Sequence, residues 1–348
     1  MKTFTRIAVL YTGGTIGMLP SAQGLVPGTD FANRAHQALD TLPVHRRRQL
    51  PELDFIEYEV PIDSSNARPH HWQAIAEDIV RLYDQYDGFV VLHGTDTLAW
   101  TASSLAFQLV GLGKAVVVTG AQRPLEATDS DGLANLEQAV RFAALPMLKE
   151  VAVAFGGCLL RGCRTRKWDT HSEQGFSSPN WGVLGQWIED FPVLYPSRLW
   201  LSQSAPAFEL VSYSSVRDGA VVRLPLWPGI NASTVERLIQ AEGVRAVLLE
   251  TWGSGNIPGD NALLGTLAEA INSGKHIVAI SQCPHGSIDM GTYATGQILR
   301  DINVLPGDDM TPEAVFTKLV HLLAQDRDSD WQRQRFLMSV VGERSPVC

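Results

Sequence analysis

Two threonines, Thr15 and Thr95, occupy glycine-flanked turns, and each turn directly follows an apolar run. The first run is Arg6-Ile7-Ala8-Val9-Leu10-Tyr11, followed by Thr12-Gly13-Gly14-Thr15-Ile16-Gly17. The second is Gly88-Phe89-Val90-Val91-Leu92, followed by His93-Gly94-Thr95-Asp96-Thr97. Both runs read as buried strands. The carboxyl ends of parallel strands are where open α/β sheets bind small molecules. A hydroxyl on each of two such turns, with a carboxylate beside one, suits nucleophilic or proton-transfer chemistry.

Each segment also has a plain structural reading. Thr12-Gly13-Gly14-Thr15 is compatible with an ordinary tight turn whose threonine caps a neighbour. It is no Rossmann phosphate loop, because Gly17 leads to Met18-Leu19-Pro20 and not into a long helix. Residues 16–30 are rich in glycine and proline and read as a long loop able to close over a site. Thr95 or Asp96 suits the N-cap of a helix starting near Leu98. His93 reads as a satisfied core histidine. The cations of Arg161-Gly162-Cys163-Arg164-Thr165-Arg166-Lys167 ordinarily form a solvated face, yet a buried lysine beside Thr95 would serve as a base. Pro61-Ile62-Asp63-Ser64-Ser65-Asn66 reads as a turn, and Arg46-Arg47-Arg48 as surface. No HExxH, cysteine cluster or G-x-S-x-G elbow occurs, so neither a metal site nor an ordinary serine hydrolase is expected.

Strands alternate with helices around these turns. Strand candidates are Ile7 to Tyr11, Phe55 to Val60, Phe89 to Leu92, Ala115 to Thr119 and Val151 to Phe155. Helical patterns lie near His71 to Tyr83, Leu98 to Val110 and Leu133 to Ala144. In the second helix Leu98, Ala102, Leu105 and Leu109 form one apolar stripe. This rhythm predicts an α/β fold with a mainly parallel sheet flanked by helices. Between about Trp187 and Ser215 the period fails. After it the βα rhythm resumes, with strands at Val221 to Leu226, Ala246 to Thr251 and Ile277 to Gln282. Helices follow at Ser233 to Glu242, Ala262 to Asn272 and Pro312 to Ala324. The expected organisation is a larger catalytic domain over 1–190, a linker over 191–215 and a smaller α/β domain over 216–348.

The whole chain bounds the partners. Its 348 residues exceed one ordinary core, and 45% hydrophobic against 19% charged residues describe a well-packed protein. A net charge of −9 disfavours nucleic acid or an anionic membrane as the main partner. The start, Met1 to Arg6, lacks the apolar core of a signal peptide. The cysteines Cys158, Cys163, Cys283 and Cys348 form no CxxC pair, so a reduced, cytoplasmic setting is expected.

The two turns, taken with six further stretches, resemble the bacterial-type L-asparaginases and their type I, cytosolic branch. The stretches are Asp63-Ser64-Ser65-Asn66, Thr119-Gly120-Ala121-Gln122-Arg123-Pro124, Arg161-Gly162 to Lys167, Phe176-Ser177-Ser178-Pro179-Asn180, Gly253-Ser254-Gly255-Asn256 and Gly291-Thr292-Tyr293-Ala294-Thr295-Gly296. They run in order from near residue 7 to near residue 320.

The resemblance implies hydrolysis of L-asparagine with no cofactor and no metal. It makes Thr15 the nucleophile. Thr95, Asp96 and Lys167 form a relay, with Lys167 as base. Asp96 meets the substrate α-ammonium, and Ser64 the α-carboxylate, helped by backbone N–H groups near Asp63 and Ser65. A homodimer or homotetramer is implied as well. Relatives often place an assisting tyrosine in the loop after the first turn. Ile16 to Asp30 has none, Leu25 stands near that place, and Tyr293 is the substitute expected. Ser65, where glutaminase-active relatives carry glutamine, favours asparagine over glutamine. Some type I enzymes bind a second asparagine through an arginine; Glu250 stands at that position and Arg166 replaces a threonine, although Cys283 is in place. Allosteric activation is therefore expected to be weak or absent.

Two other readings stand beside this one. The asparaginase-like subunit of an archaeal-type tRNA amidotransferase normally has an extra N-terminal domain, and an acidic chain suits tRNA poorly. An inactive amino-acid-binding relative would lack the nucleophile or the lysine, and Thr15 and Lys167 are both present.

Overall fold

A computed structural model describes residues 5–200, 205–290 and 294–345. The chain forms two compact units, Met1–Leu210 and Val211–Cys348.

The first unit opens with β1 (Arg6–Tyr11), β2 (Met18–Ser21), β3 (Gly24–Pro27), α1 (Phe31–Asp40), α2 (Val44–Arg47) and β4 (Glu52–Glu57). Next come α3 (Pro69–Leu82), β5 (Gly88–Leu92), α4 (Leu98–Gln108), β6 (Val116–Thr119), α5 (Gly132–Ala143) and β7 (Val151–Phe155). It closes with β8 (Cys158–Arg161), β9 (Arg166–Lys167), β10 (Phe176–Ser177), β11 (Val183–Ile188) and β12 (Phe191–Leu194). One eight-stranded sheet runs in the order β12-β11-β8-β7-β6-β5-β1-β4. Strands β7, β6, β5, β1 and β4 are parallel, and β8, β11 and β12 add antiparallel.

The central strands explain themselves. Ile7, Ala8, Val9 and Leu10 of β1 and Phe89, Val90, Val91 and Leu92 of β5 are fully buried. A parallel strand covered on both faces must be apolar at every position, not at alternate ones. Burying one such Val, Leu or Ile contributes about 1.5–3 kcal/mol.

Several local expectations are revised. The strand expected at Phe55 to Val60 is Glu52–Glu57, three residues earlier, because it pairs in register with β1, from Arg6 with Glu52 to Tyr11 with Glu57. The Glu57 carboxylate accepts the Phe31 and Ala32 N–H groups at 3.1 and 2.9 Å, closing the N-terminus of α1. The loop expected over 16–30 contains the β2–β3 hairpin. Part of the expected linker, Phe191–Leu194, is the edge strand β12. Helix α4 is buried on nearly all faces, including Thr101, Ser103, Ser104 and Gln108, where one stripe was expected. Finally, Arg46 is no surface cation. It forms a bidentate pair with Glu137 of α5, whose side chain is fully buried, and Arg141 approaches the same carboxylate at 3.6 Å.

The second unit contains β13 (Val221–Pro225), α6 (Ala232–Ile239), β14 (Ala246–Thr251), α7 (Asn261–Asn272) and β15 (His276–Ser281). It ends with α8 (Ala294–Asp301), β16 (Leu305–Pro306), α9 (Pro312–Ala324) and α10 (Ser329–Leu337). Its sheet, β13-β14-β15-β16, is parallel throughout. Among the described residues no helix is long and apolar enough to cross a membrane.

The Glu137 pair generates a stability prediction. Glu137→Ala leaves two cations facing a vacated buried site, and should cost about 3 kcal/mol. Urea unfolding of both proteins at pH 7 measures the difference.

Candidate active site

Three turns converge at the carboxyl ends of β1, β4 and β5. The chain leaves β1 through Thr12, whose N–H and hydroxyl both donate to Leu92 O, at 3.1 and 2.8 Å. Thr12 O in turn accepts Ile62 N–H at 2.6 Å. The turns touch through glycines. A Cβ on Gly14 would lie 2.5 Å from Gly94 N, and one on Gly94 would lie 2.7 Å from Ser64 Cβ. Gly14 also has φ of +93°, which side-chain-bearing residues rarely adopt. Only glycine lets these backbones meet, and their meeting brings Thr15, Ser64 and Thr95 to one place.

Thr15 heads a short 3₁₀ turn, Thr15–Gly17, and is half-buried. Thr95 is buried, and Asp96 beside it is exposed. Neither caps α4. The N-cap position is Thr97, and its hydroxyl donates to Ser64 O at 2.7 Å, tying the second turn to the third. Thr95 and Asp96 are thereby left to Lys167, whose Nζ donates to Thr95 Oγ1 at 3.0 Å and to Asp96 Oδ1 at 2.8 Å.

The cation segment is mostly buried, against the solvated-face reading. Arg161 is ion-paired with Glu150 at 2.6 Å and lies over the rings of Trp181 and Trp200. Arg164 lies over Trp181. The intervening turn packs on α4, where Ser103 donates to Gly162 O. Strand β9 then carries Lys167 to Thr95, paired with β10 through Phe176.

Asp63 uses its carboxylate within its own turn. It accepts from the Ser65 hydroxyl at 2.8 Å, from the Ser65 N–H at 3.0 Å and from Asn66 Nδ2 at 2.8 Å. The Ser65 hydroxyl, then its N–H, hold the Asp63 carboxyl below the usual carboxylate range. The Ser65 N–H is therefore engaged within the turn. Ser64 is buried at the junction of the turns.

His93 is 1% exposed and lies behind the site, as a core histidine. Its Nδ1 is 2.8 Å from Gly94 O and its Nε2 is 3.0 Å from Thr101 Oγ1. A carbonyl can only accept, so Nδ1 carries the proton and Nε2 accepts the Thr101 hydroxyl. Burial pushes the imidazole down to about 4.

Two family models match this chain: "Asparaginase, N-terminal" over residues 6–198 and "Glutaminase/Asparaginase C-terminal domain" over residues 220–336. The chain belongs to the asparaginase family. It is 39% identical to L-asparaginase 1 of Escherichia coli K12 over 346 residues, covering 98% of both chains. Among solved structures, L-asparaginase I from Vibrio cholerae aligns with a TM-score of 0.87 and 35% identity, over 99% of this chain and 100% of the other. The thermostable L-asparaginase from Thermococcus kodakarensis aligns at 0.86 with 27% identity, with the same coverage.

For this family member, the structure joins Thr95, Asp96 and Lys167 directly and brings Thr15 and Ser64 beside them through Gly14 and Gly94. Tyr293 lies outside the described residues. Sequence reasoning missed Asp131 at the start of α5. It accepts the N–H groups of Gln122 and Arg123 and Nδ2 of Asn135, fixing the turn after β6. An acid just before a helix was the available signal. Among the described residues no group of three or more His, Cys, Asp or Glu could hold a metal ion.

His93 predicts an acid limit. Its folded value lies below its ordinary 6.5, so the unfolded chain binds the extra proton first. Its stabilisation is complete above about pH 6.5 and is lost as pH falls toward 4, by about 3 kcal/mol in all. His93→Gln keeps a donor and an acceptor but does not titrate. Urea unfolding from pH 7.5 to 4 should show a shallower acid loss in that variant.

Proposed function

We propose that the chain hydrolyses L-asparagine to L-aspartate and ammonia through a β-aspartyl ester on Thr15. The observation that carries the reading is the Lys167–Thr95–Asp96 contact set, packed against the Thr15 turn through Gly14 and Gly94. Thr15 Oγ attacks the side-chain amide carbon of asparagine, and the amide nitrogen leaves as ammonia. Water then attacks the ester carbonyl and frees aspartate and the threonine hydroxyl. A threonine hydroxyl is a weak nucleophile, so both steps need proton transfer. Thr95 takes the proton of the attacking hydroxyl as its own passes to Lys167. Lys167 acts from its neutral amine form and returns a proton to the departing amide nitrogen. In the second step a water proton travels the same route back to the Thr15 oxygen. Asp96 holds Lys167 and pairs with the substrate α-ammonium. Ser64 receives the α-carboxylate in the cleft between the turns, and Tyr293 is the group proposed to assist Thr15. The short Ser65 side chain, folded back onto Asp63, favours asparagine over glutamine.

The proposal extends to a cytoplasmic homodimer or homotetramer that needs no cofactor. It also includes weak or absent activation by a second asparagine. Glu250 is paired with Arg223 of the neighbouring strand at 2.7 Å. That carboxylate cannot take the part of an arginine toward a ligand carboxylate.

Ammonia release from asparagine and glutamine tests the reading. Thr15→Ala and Lys167→Met should each lose on the order of a thousandfold or more in kcat, as removal of one member of a cooperating set does. Mass spectrometry of acid-quenched wild type should find the aspartyl adduct on the peptide containing Thr15. Full activity in Thr15→Ala would refute the mechanism, and an inert wild type would refute the function. Velocity should rise hyperbolically with asparagine concentration; a sigmoidal curve would contradict the absence of activation.

A further inference from the structure

The β2–β3 hairpin springs from the turn that carries Thr15, and its two stems meet at Gly17 and Gly28. Gly28 N–H donates to Gly17 O at 3.1 Å, and Gly17 N–H donates to Gly14 O at 3.2 Å. The same Gly17 carbonyl accepts Arg34 Nη1 at 3.1 Å. Arg34 comes from α1, a separate element, and lies 3.5 Å from Thr29 O on the far stem. One guanidinium therefore spans both stems.

Arg34 is itself held. Its Nε and Nη2 donate to the two carboxylate oxygens of Glu126 at 2.6 and 2.9 Å, a bidentate pairing. Glu126 belongs to the segment between β6 and α5. That segment also touches the Thr15 turn directly, through Leu125 N–H to Ile16 O at 3.0 Å. Below the guanidinium, the Phe31 ring stacks on Tyr11 at 4.1 Å. The Tyr11 hydroxyl lies against Gly17, where any Cβ would clash with it. Gly17 is thus crowded at its Cα by a buried phenol and held at its carbonyl by Arg34.

The arginine is only 15% exposed, while Glu126 is 44% exposed. Exposure on the Glu126 side limits what the pair adds to stability, while the more buried Arg34 spends a donor on the Gly17 carbonyl. It is well placed to fix a backbone position two residues from Thr15. We propose that Arg34, clamped by Glu126, is a positioning residue that sets the Thr15 turn and the base of its hairpin for attack. This inference rests on Thr15 being the nucleophile. Misplacing a nucleophile by a fraction of an ångström lowers the rate of the chemical step more than it lowers binding.

The test is steady-state kinetics on asparagine with the full chain. The variants are Arg34→Met, Arg34→Lys, Glu126→Gln and the Arg34→Met/Glu126→Gln double, each with a thermal melt. Arg34→Met should lower kcat by about tenfold or more with KM changed less than about threefold. Glu126→Gln should move kcat the same way by less. Arg34→Lys keeps a donor for Gly17 O and should recover part of the loss. The double variant should be no worse than Arg34→Met alone, since both act through one contact. Arg217→Met, at an exposed pair in the second unit, is the control and should leave kcat unchanged.

The proposal is overturned if folded Arg34→Met and Glu126→Gln keep wild-type kcat. It is equally overturned if their losses match the fraction of unfolded protein, or fall on KM alone. Thr15→Ala separates the two claims. If it is inert while the Arg34 variants keep wild-type kcat, only the brace fails; if it stays active, the nucleophile assignment fails first.

Discussion

Close approach of backbones is the constraint on which the first unit's site depends. Gly14 lies so near Gly94, and Gly94 so near Ser64, that no side chain fits between them. Three strand ends are drawn together by this packing and by hydrogen bonds that pass from one turn to the next. Thr12 reaches Leu92, Ile62 reaches Thr12, and Thr97 reaches Ser64. The consequence is chemical. Residues distant in sequence are brought side by side, and each hangs from backbone already fixed by its neighbours.

The charged residues follow a related logic. Arg161, Glu150, Arg46 and Glu137 are buried or nearly so, each with a partner. Removing an ion pair from water is expensive, and a matched buried pair is weak evidence for stability. What these pairs do here is hold geometry. Arg161, wedged between Trp181 and Trp200, fixes the strand that leads to Lys167. Asp131 fixes the turn after β6 by accepting two backbone N–H groups. The second unit uses the same device. Lys318 of α9 binds Glu343 and the carbonyls of Phe336 and Met338, anchoring the segment after α10.

Much of the fold was legible in the sequence because its central strands are covered on both faces. A continuous apolar run bounded by glycine has few other readings, and β7, β14 and α9 have the bounds that their residues suggest. The hairpin β2–β3 was not legible. Its strands contain glycine and proline and are largely exposed, so neither period nor composition marks them. Arg46 and Arg161 were misread for another reason. A run of cations looks solvated until a carboxylate distant in sequence, Glu137 or Glu150, is folded against it.

The sequence by itself determined the chemistry available. It supplies threonines at strand ends, an acid beside one of them, a lysine further on, and glycines where turns must be tight. Its family resemblance named their roles. Only the tertiary structure decided that Thr95 is not the cap of α4. Thr97 takes the cap position, and Lys167, 72 residues away, reaches the freed hydroxyl. It likewise placed Arg34 on Gly17. The physical reason is common to both. Local propensity ranks the partners within a few residues, but which donor meets which acceptor across the sheet depends on packing that no local window contains.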